Sequence, residues 1–215
     1  MIEDPWDDKD EYQDKVLVGV DSVGNGALAG PIVACACVID PTDEVIRATA
    51  NDSKKLSESR RQELETRYRG RFPFIAYAEA CPCEITRVGP YRAALTAMGA
   101  ASNWALRLVE QELPQSDGVV VPLVIVDGKA KIPTRGRQDP IAGADGKFLV
   151  VGAASIMAKV YRDSLMHIYD VPYPHYQFRK NKGYGTPAHL EALRRHGPCR
   201  IHRRSFRPVA LMGGS

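Results

Sequence analysis

The sequence predicts an α/β protein built on a single sheet. Residues 16–20 form an apolar, β-branched run that stops at Asp21, and a glycine-rich turn leads from there into a second apolar run over 32–39. Residues 72–80 and 122–126 repeat this short-strand pattern, and the latter also stops at an aspartate, Asp127. Between and after them, residues 91–113 and 152–169 are rich in Ala, Leu and Met with polar positions on one side, the period of amphipathic helices. A chain of 215 residues with 44% hydrophobic content supplies one substantial core and requires no second.

Each element has a local reason. Residues 1–14 hold seven acids and one lysine and read as an acidic, disordered tail with no assigned role. Residues 15–170 read as the main domain, and 171–215 as a basic extension packed on it. Gly24, Gly26 and Gly30 let the chain turn sharply, and Pro31 restarts extended backbone. Ser57 is placed to cap a helix over 58–69, and Pro114 closes the helix that begins near residue 91. A loop rich in Pro, Gly and basic residues leads to an expected short strand over 147–151, then to the helix over 152–169. A last helix over 187–196 follows the turn 183–186.

Composition excludes several classes. The longest apolar runs, near 32–39, 119–126 and 148–158, fall short of the roughly 18 residues that cross a bilayer. No span is expected, and the acidic N-terminal stretch lacks a signal pattern, so the expected location is the cytoplasm. Five cysteines, an odd number, suit a reducing compartment. Cys35/Cys37 and Cys81/Cys83 are both C-x-C pairs, a spacing unlike structural zinc sites, and buried free thiols are expected. Gly24-x-Gly26-x-x-Ala29 loosely fits a dinucleotide fingerprint, but that motif must open a helix, and Pro31 with the run 32–38 predicts a strand. Ser22 is offset from a hydrolase elbow. The net charge of +3 conceals residues 178–207, with nine Lys or Arg and one acid. Such a surface suits a polyanion, and Tyr184 and Phe206 among the charges suit nucleic acid.

The chemistry gathers on acids. Parallel neighbouring strands bring their C-terminal ends to one rim, so Asp21 and Asp127 are expected to meet there. Ser155, Lys159 and Asp163 are four apart, on one helix face, and Asp163 is expected to join the pair. Three clustered carboxylates repel unless a divalent cation lies between them, and hard oxygen ligands favour Mg²⁺ or Mn²⁺.

Several stretches, in order, resemble the motifs of ribonuclease HII, the type 2 ribonucleases H. They are Gly19-Val20-Asp21 with Gly24-x-Gly26-x-Leu28-Ala29-Gly30-Pro31; Asp52-Ser53-Lys54-Lys55-Leu56-Ser57; Val126-Asp127-Gly128; Ala153-Ala154-Ser155-Ile156-Met157-Ala158-Lys159-Val160 with Arg162-Asp163; Lys182-Gly183-Tyr184-Gly185-Thr186 with His189-Leu190; and His202-Arg203-Arg204-Ser205-Phe206. The resemblance implies an RNase H-like fold, a mixed five-stranded sheet flanked by helices with a C-terminal helical extension. It implies a monomeric two-metal endonuclease using Mg²⁺ or Mn²⁺. The substrate would be an RNA:DNA hybrid or a DNA duplex containing ribonucleotides, cut 5′ to the ribonucleotide to leave 3′-hydroxyl and 5′-phosphate ends. Asp21, Asp127 and Asp163 are matched to three of the family's four acidic positions.

The chain departs from the pattern twice within one short loop. Ser22 stands where the family has Glu, removing one negative charge from the site. Asn25 stands between Gly24 and Gly26 where the family has Arg, removing a phosphate-pairing guanidinium. The glycine backbone is kept. By the same resemblance Tyr184 stacks on a deoxyribose beside the ribonucleotide, Lys54 and Lys55 meet phosphates, and Ser155 and Lys159 support the metal site or the backbone. The departures leave two readings open: a working nuclease, or an attenuated homologue that binds hybrid and ribonucleotide-containing duplexes.

Overall fold

The computed structural model describes residues 15–40, 43–49, 57–68, 70–112 and 122–212; the acidic segment 1–14 and Lys54 and Lys55 lie outside them. Strands β1 (Leu17–Val23), β2 (Ile32–Val38), β3 (Phe74–Ala80), β4 (Leu123–Asp127) and β5 (Arg137–Ile141) form one sheet in the order β3-β2-β1-β4-β5. β2 runs antiparallel to β1 and β3, whereas β1, β4 and β5 run parallel, so the sheet is mixed. In β1, β2 and β4 both faces are buried, which explains their near-continuous apolar runs.

Side-chain alternation sorts the strand residues into two cores. Leu17, Val33, Cys35, Leu123 and Ile125 face α5 (Leu149–Asp170), together with α1 (Glu44–Thr49) and α2 (Glu58–Tyr68). Val18, Val20, Ala34, Val124 and Val126 face the alanine-rich stripe of α4 (Pro90–Glu112), which follows the short α3 (Pro82–Val88). Ser57 caps α2, its hydroxyl accepting the Arg60 N–H at 3.2 Å. A third cluster joins Leu28, Ala29 and Met166 to the extension, where α6 (Phe178–Asn181), α7 (Pro187–His196) and α8 (Arg207–Ala210) contribute Phe178, Leu193 and Val209.

Helix α5 lies unusually close to β1 at Gly19. A Cβ there would sit 2.5 Å from the Val150 carbonyl carbon, so only glycine admits this approach.

Two sequence expectations are corrected. The segment 147–151 is no strand: Phe148 is extended, and α5 begins at Leu149. Its valines read as β, but a short apolar run is ambiguous between strand and buried helix, and packing on Gly19 selects helix. The fifth strand is instead Arg137–Ile141, whose charges and Pro140 suit an edge strand paired on one side only. Cys81 and Cys83 are not free thiols. They flank Pro82 where β3 turns into α3, which brings their Cα atoms to 5.4 Å, and they form a disulfide. Cys35 and Cys37 are free and buried as expected.

Candidate active site

Leu17 to Val20 of β1 pair in parallel register with Leu123 to Val126 of β4, so one further step places Asp21 beside Asp127 at the same rim. Asp127 also anchors a more distant turn. Its Oδ1 accepts the Ala144 N–H at 2.8 Å, which holds a 3-10 turn over Ala144–Gly146 against the strand end. That turn carries Asp145. Oxygens of Asp21, Asp127 and Asp145 lie within 4.8 Å of one another, and these three are the metal-competent group among the described residues.

Asp163 is not part of it. Ser155, on α5, hydrogen-bonds Asp21, and Asp163 is eight residues further on, about 12 Å along the helix axis. Its carboxylate instead pairs with Lys159 at 2.6 Å and Arg61 at 4.0 Å. The expected trio is therefore corrected at one member. Asp145 went unread because it sits in an irregular glycine-rich loop. The available signal was an acid next to a turn glycine, just ahead of the helix that delivers Ser155.

Asp21 is buried, and its carboxyl is pushed up to about 7 by that burial and by the negative charges of Asp127 and Asp145. Hydrogen bonds from the Ser155 hydroxyl and from the Ser22 amide, 2.6 Å from Oδ1, pull the other way. Such a set, all hard oxygen and like-charged, fits a divalent cation, which would return Asp21 to its ionised form. Ser22 belongs to the opposite face of β1, with Val18 and Val20, and is half-buried.

The glycine loop leaves β1 at this rim. Asn25 and Gly26 are exposed, and among the described residues their amides meet no acceptor. Beneath them lie two buried arginines. Arg203 donates through Nε to the Gly30 carbonyl at 2.9 Å and through Nη1 to that of Asn25 at 3.1 Å, and Arg162 supports the other side of the loop. Arg203 stacks on Phe206, 5.4 Å from its ring centroid, so that aromatic serves packing. Tyr184 is half-buried, with the Lys159 ammonium 5.9 Å and the Arg162 guanidinium 5.4 Å from its ring centroid. Burial pulls the Lys159 ammonium below its ordinary range, while Asp163 opposes that shift.

Behind Tyr184 is a buried histidine pair with one consistent protonation. His202 Nδ1 accepts the Cys199 N–H at 2.9 Å, so its Nε2 carries the proton and donates to His189 Nε2 at 3.0 Å. His189 Nδ1 then donates to the Tyr184 carbonyl at 2.9 Å. Burial lowers both, His202 to about 4, where the neighbouring His189 adds to the shift.

A mixed sheet with an acidic rim, a glycine loop and a basic flank defines a nuclease-like member of the RNase H fold class. The family profile described as Ribonuclease HII matches residues 18–209. The ribonuclease HII of Idiomarina loihiensis is 40% identical over 198 residues, covering 90% of this chain and 96% of that protein. The crystal structure of ribonuclease H2 from Pyrococcus horikoshii OT3 superposes with a TM-score of 0.68 at 23% identity, covering 91% of this chain and 96% of that one. Bst-RNase HIII in complex with Mn²⁺ gives 0.74 at 18% identity, covering 94% and 70%. The chain belongs to the ribonuclease HII family. It is an RNase H-type endoribonuclease, and no helix among the described residues is long and apolar enough to cross a membrane.

Proposed function

We propose that the chain is a divalent-metal-dependent endonuclease acting on RNA:DNA hybrids and on DNA duplexes containing ribonucleotides. It cuts the phosphodiester 5′ to a ribonucleotide and leaves 3′-hydroxyl and 5′-phosphate ends. The observation that carries this reading is the meeting of Asp21, Asp127 and Asp145 within 4.8 Å, at the rim from which the exposed loop of Asn25 and Gly26 departs.

These three carboxylates would hold Mg²⁺ or Mn²⁺, in pairs as the resemblance implies, and bound metal supplies an activated water and screens the charge of the phosphate. The other roles belong to the chain itself. Ser155 and the Ser22 amide orient the Asp21 carboxylate. The outward amides of Asn25 and Gly26 offer donors to a ribose 2′-hydroxyl or a phosphate oxygen, a contact that side-chain replacement leaves in place. Tyr184 presents its ring to a sugar, with Lys159 beside it. Lys54 and Lys55 contribute phosphate contacts from outside the described residues. Residues 15–170 and 171–215 act as one substrate-binding body, as a monomer, in the cytoplasm.

The test is cleavage of a labelled duplex with one embedded ribonucleotide, beside a long RNA:DNA hybrid, in Mg²⁺ and in Mn²⁺. Wild type should cut 5′ to the ribonucleotide and Asp127→Asn should not. A silent wild type restored by Ser22→Glu would identify an attenuated site on an intact scaffold. Tight duplex binding with no cutting by either protein would overturn the nuclease reading in favour of a binding module.

A further inference from the structure

We infer that Arg162 is a positioning residue that locks the glycine loop and the Tyr184 loop into one ribonucleotide-reading unit, an inference that rests on the function proposed above. Arg162 is fully buried on α5. Its guanidinium reaches three backbone carbonyls: Nε donates to Pro31 at 3.0 Å, Nη2 to Ala29 at 3.1 Å and Nη1 to Lys182 at 2.9 Å. Two of these carbonyls belong to the loop after β1, and the third to the segment that carries Tyr184.

The fit around this fork is close. A Cβ on Gly24 would lie 2.2 Å from Arg162 Nε, and one on Gly183 would lie 2.4 Å from the Ala29 carbonyl oxygen. The Gly183 carbonyl accepts the Leu28 and Ala29 N–H groups at 2.8 and 3.3 Å, so the two loops also touch directly. Lys182 holds a left-handed conformation, φ 51°, uncommon for a side-chain-bearing residue, and Arg162 grips its carbonyl. The Arg162 guanidinium carbon also lies 5.4 Å from the Tyr184 ring centroid.

A buried cation is a costly way to fill a core, and an apolar side chain of the same volume would serve packing as well or better. What only a planar fork supplies is a fixed relation among three separate backbone segments. Here carbonyls of the loop turn inward to Arg162 and Arg203, while the exposed Asn25 and Gly26 amides meet no acceptor among the described residues. The distance from those amides to the Tyr184 ring is thereby set from below. Loss of the fork should degrade discrimination for a ribonucleotide followed by DNA, and leave the sequence-independent attraction of the basic surface intact.

The experiment compares wild type, Arg162→Lys, Tyr184→Ala and the double variant, each checked for folding by thermal unfolding. The readouts are kcat/KM on a duplex with one embedded ribonucleotide and the Kd for the same duplex made wholly of DNA. Arg162→Lys keeps the charge and loses the fork. It should lose about 10- to 100-fold in kcat/KM, with the all-DNA Kd within about threefold of wild type. The double variant should be no more than about threefold below the worse single variant, because both changes disable one reading unit. Losses that multiply, or an Arg162→Lys enzyme within about threefold of wild type, would overturn the inference. If Arg162→Lys does not fold, Gly183→Ala carries the same test by wedging the loops apart, and wild-type discrimination in that variant would equally overturn it. If wild type binds without cutting, the nuclease reading fails while this one is still decided, by whether the variants lose the ratio of ribonucleotide-duplex to all-DNA affinity.

Discussion

Asp145 stands just ahead of α5 and Asp163 in its second half, and their surroundings are opposite in sign. Asp145 faces the carboxylates of Asp21 and Asp127, close enough that Asp21 is pushed up to about 7 by burial and by these neighbours. Asp163 faces Lys159 at 2.6 Å and Arg61 at 4.0 Å. The first neighbourhood gathers three like-charged carboxylates and suits a divalent cation, whereas in the second Lys159 and Arg61 face the acid. One acid stands just ahead of α5 and the other within it, so nearness to the same helix does not decide what a carboxylate can do; the charges that meet it do.

This contrast can be broken most sharply by removing one charge at a time. Asp127→Asn and Asp145→Asn should each lower metal-dependent cleavage by about 10³-fold or more, roughly 4 kcal/mol of transition-state stabilisation, with little change in melting temperature. Asp163→Asn should do the reverse. Cleavage should stay within about threefold, while loss of the partner of Lys159 costs about 2 kcal/mol and lowers the melting temperature by about 4–8 °C. Steady-state kinetics beside thermal unfolding check both, and a stable Asp163→Asn protein without activity would reverse the assignment.

A second comparison sets the acidic rim against the histidine pair, which is polar, buried and neutral. His202 titrates near 4 in the folded chain against about 6.5 when unfolded, so its contribution is complete above pH 6.5 and is lost as pH falls through 4. The loss amounts to no more than about 3 kcal/mol. Urea midpoints between pH 7.5 and 4.5 should fall accordingly, and His202→Gln should flatten that dependence. The smallest expected effect is at Ser22: Ser22→Glu should raise kcat/KM at limiting metal about tenfold, or about 1.4 kcal/mol. No gain would mean that the three aspartates suffice.

Much of the fold was legible in the sequence where one physical signal dominated. Strands β1 and β4 announced themselves through apolar runs that stop at Asp21 and Asp127; β4 ends at its acid, whereas β1 runs on to Val23, and parallel pairing of the two brings the acids to one rim. Ser57 read correctly as a cap because capping is local. Asp163 misled because the spacing Ser155, Lys159, Asp163 defines a face but not a reach: the stripe spans two turns, and only its first member touches Asp21. The edge strand β5 was hidden by its charges and proline, and the Val150-Val151 pair imitated a strand inside a helix. The depth of Arg162 and Arg203 was equally hidden, because nothing in a sequence separates an arginine bound for phosphate from one bound for buried carbonyls.

The bonds from Arg203 to Gly30 and Asn25 join residues 173 and 178 positions apart, and Ala29 forms its isolated bridge with His202. A chain made from its N-terminus therefore has all three aspartates before Arg162, and well before Arg203, the two residues that brace its glycine loop. Closing so long a loop waits for the segment around Arg203 to leave the ribosome. During synthesis the acidic rim is therefore present before the contacts that fix the glycine loop beside it, and the two halves of the candidate site are completed in that order.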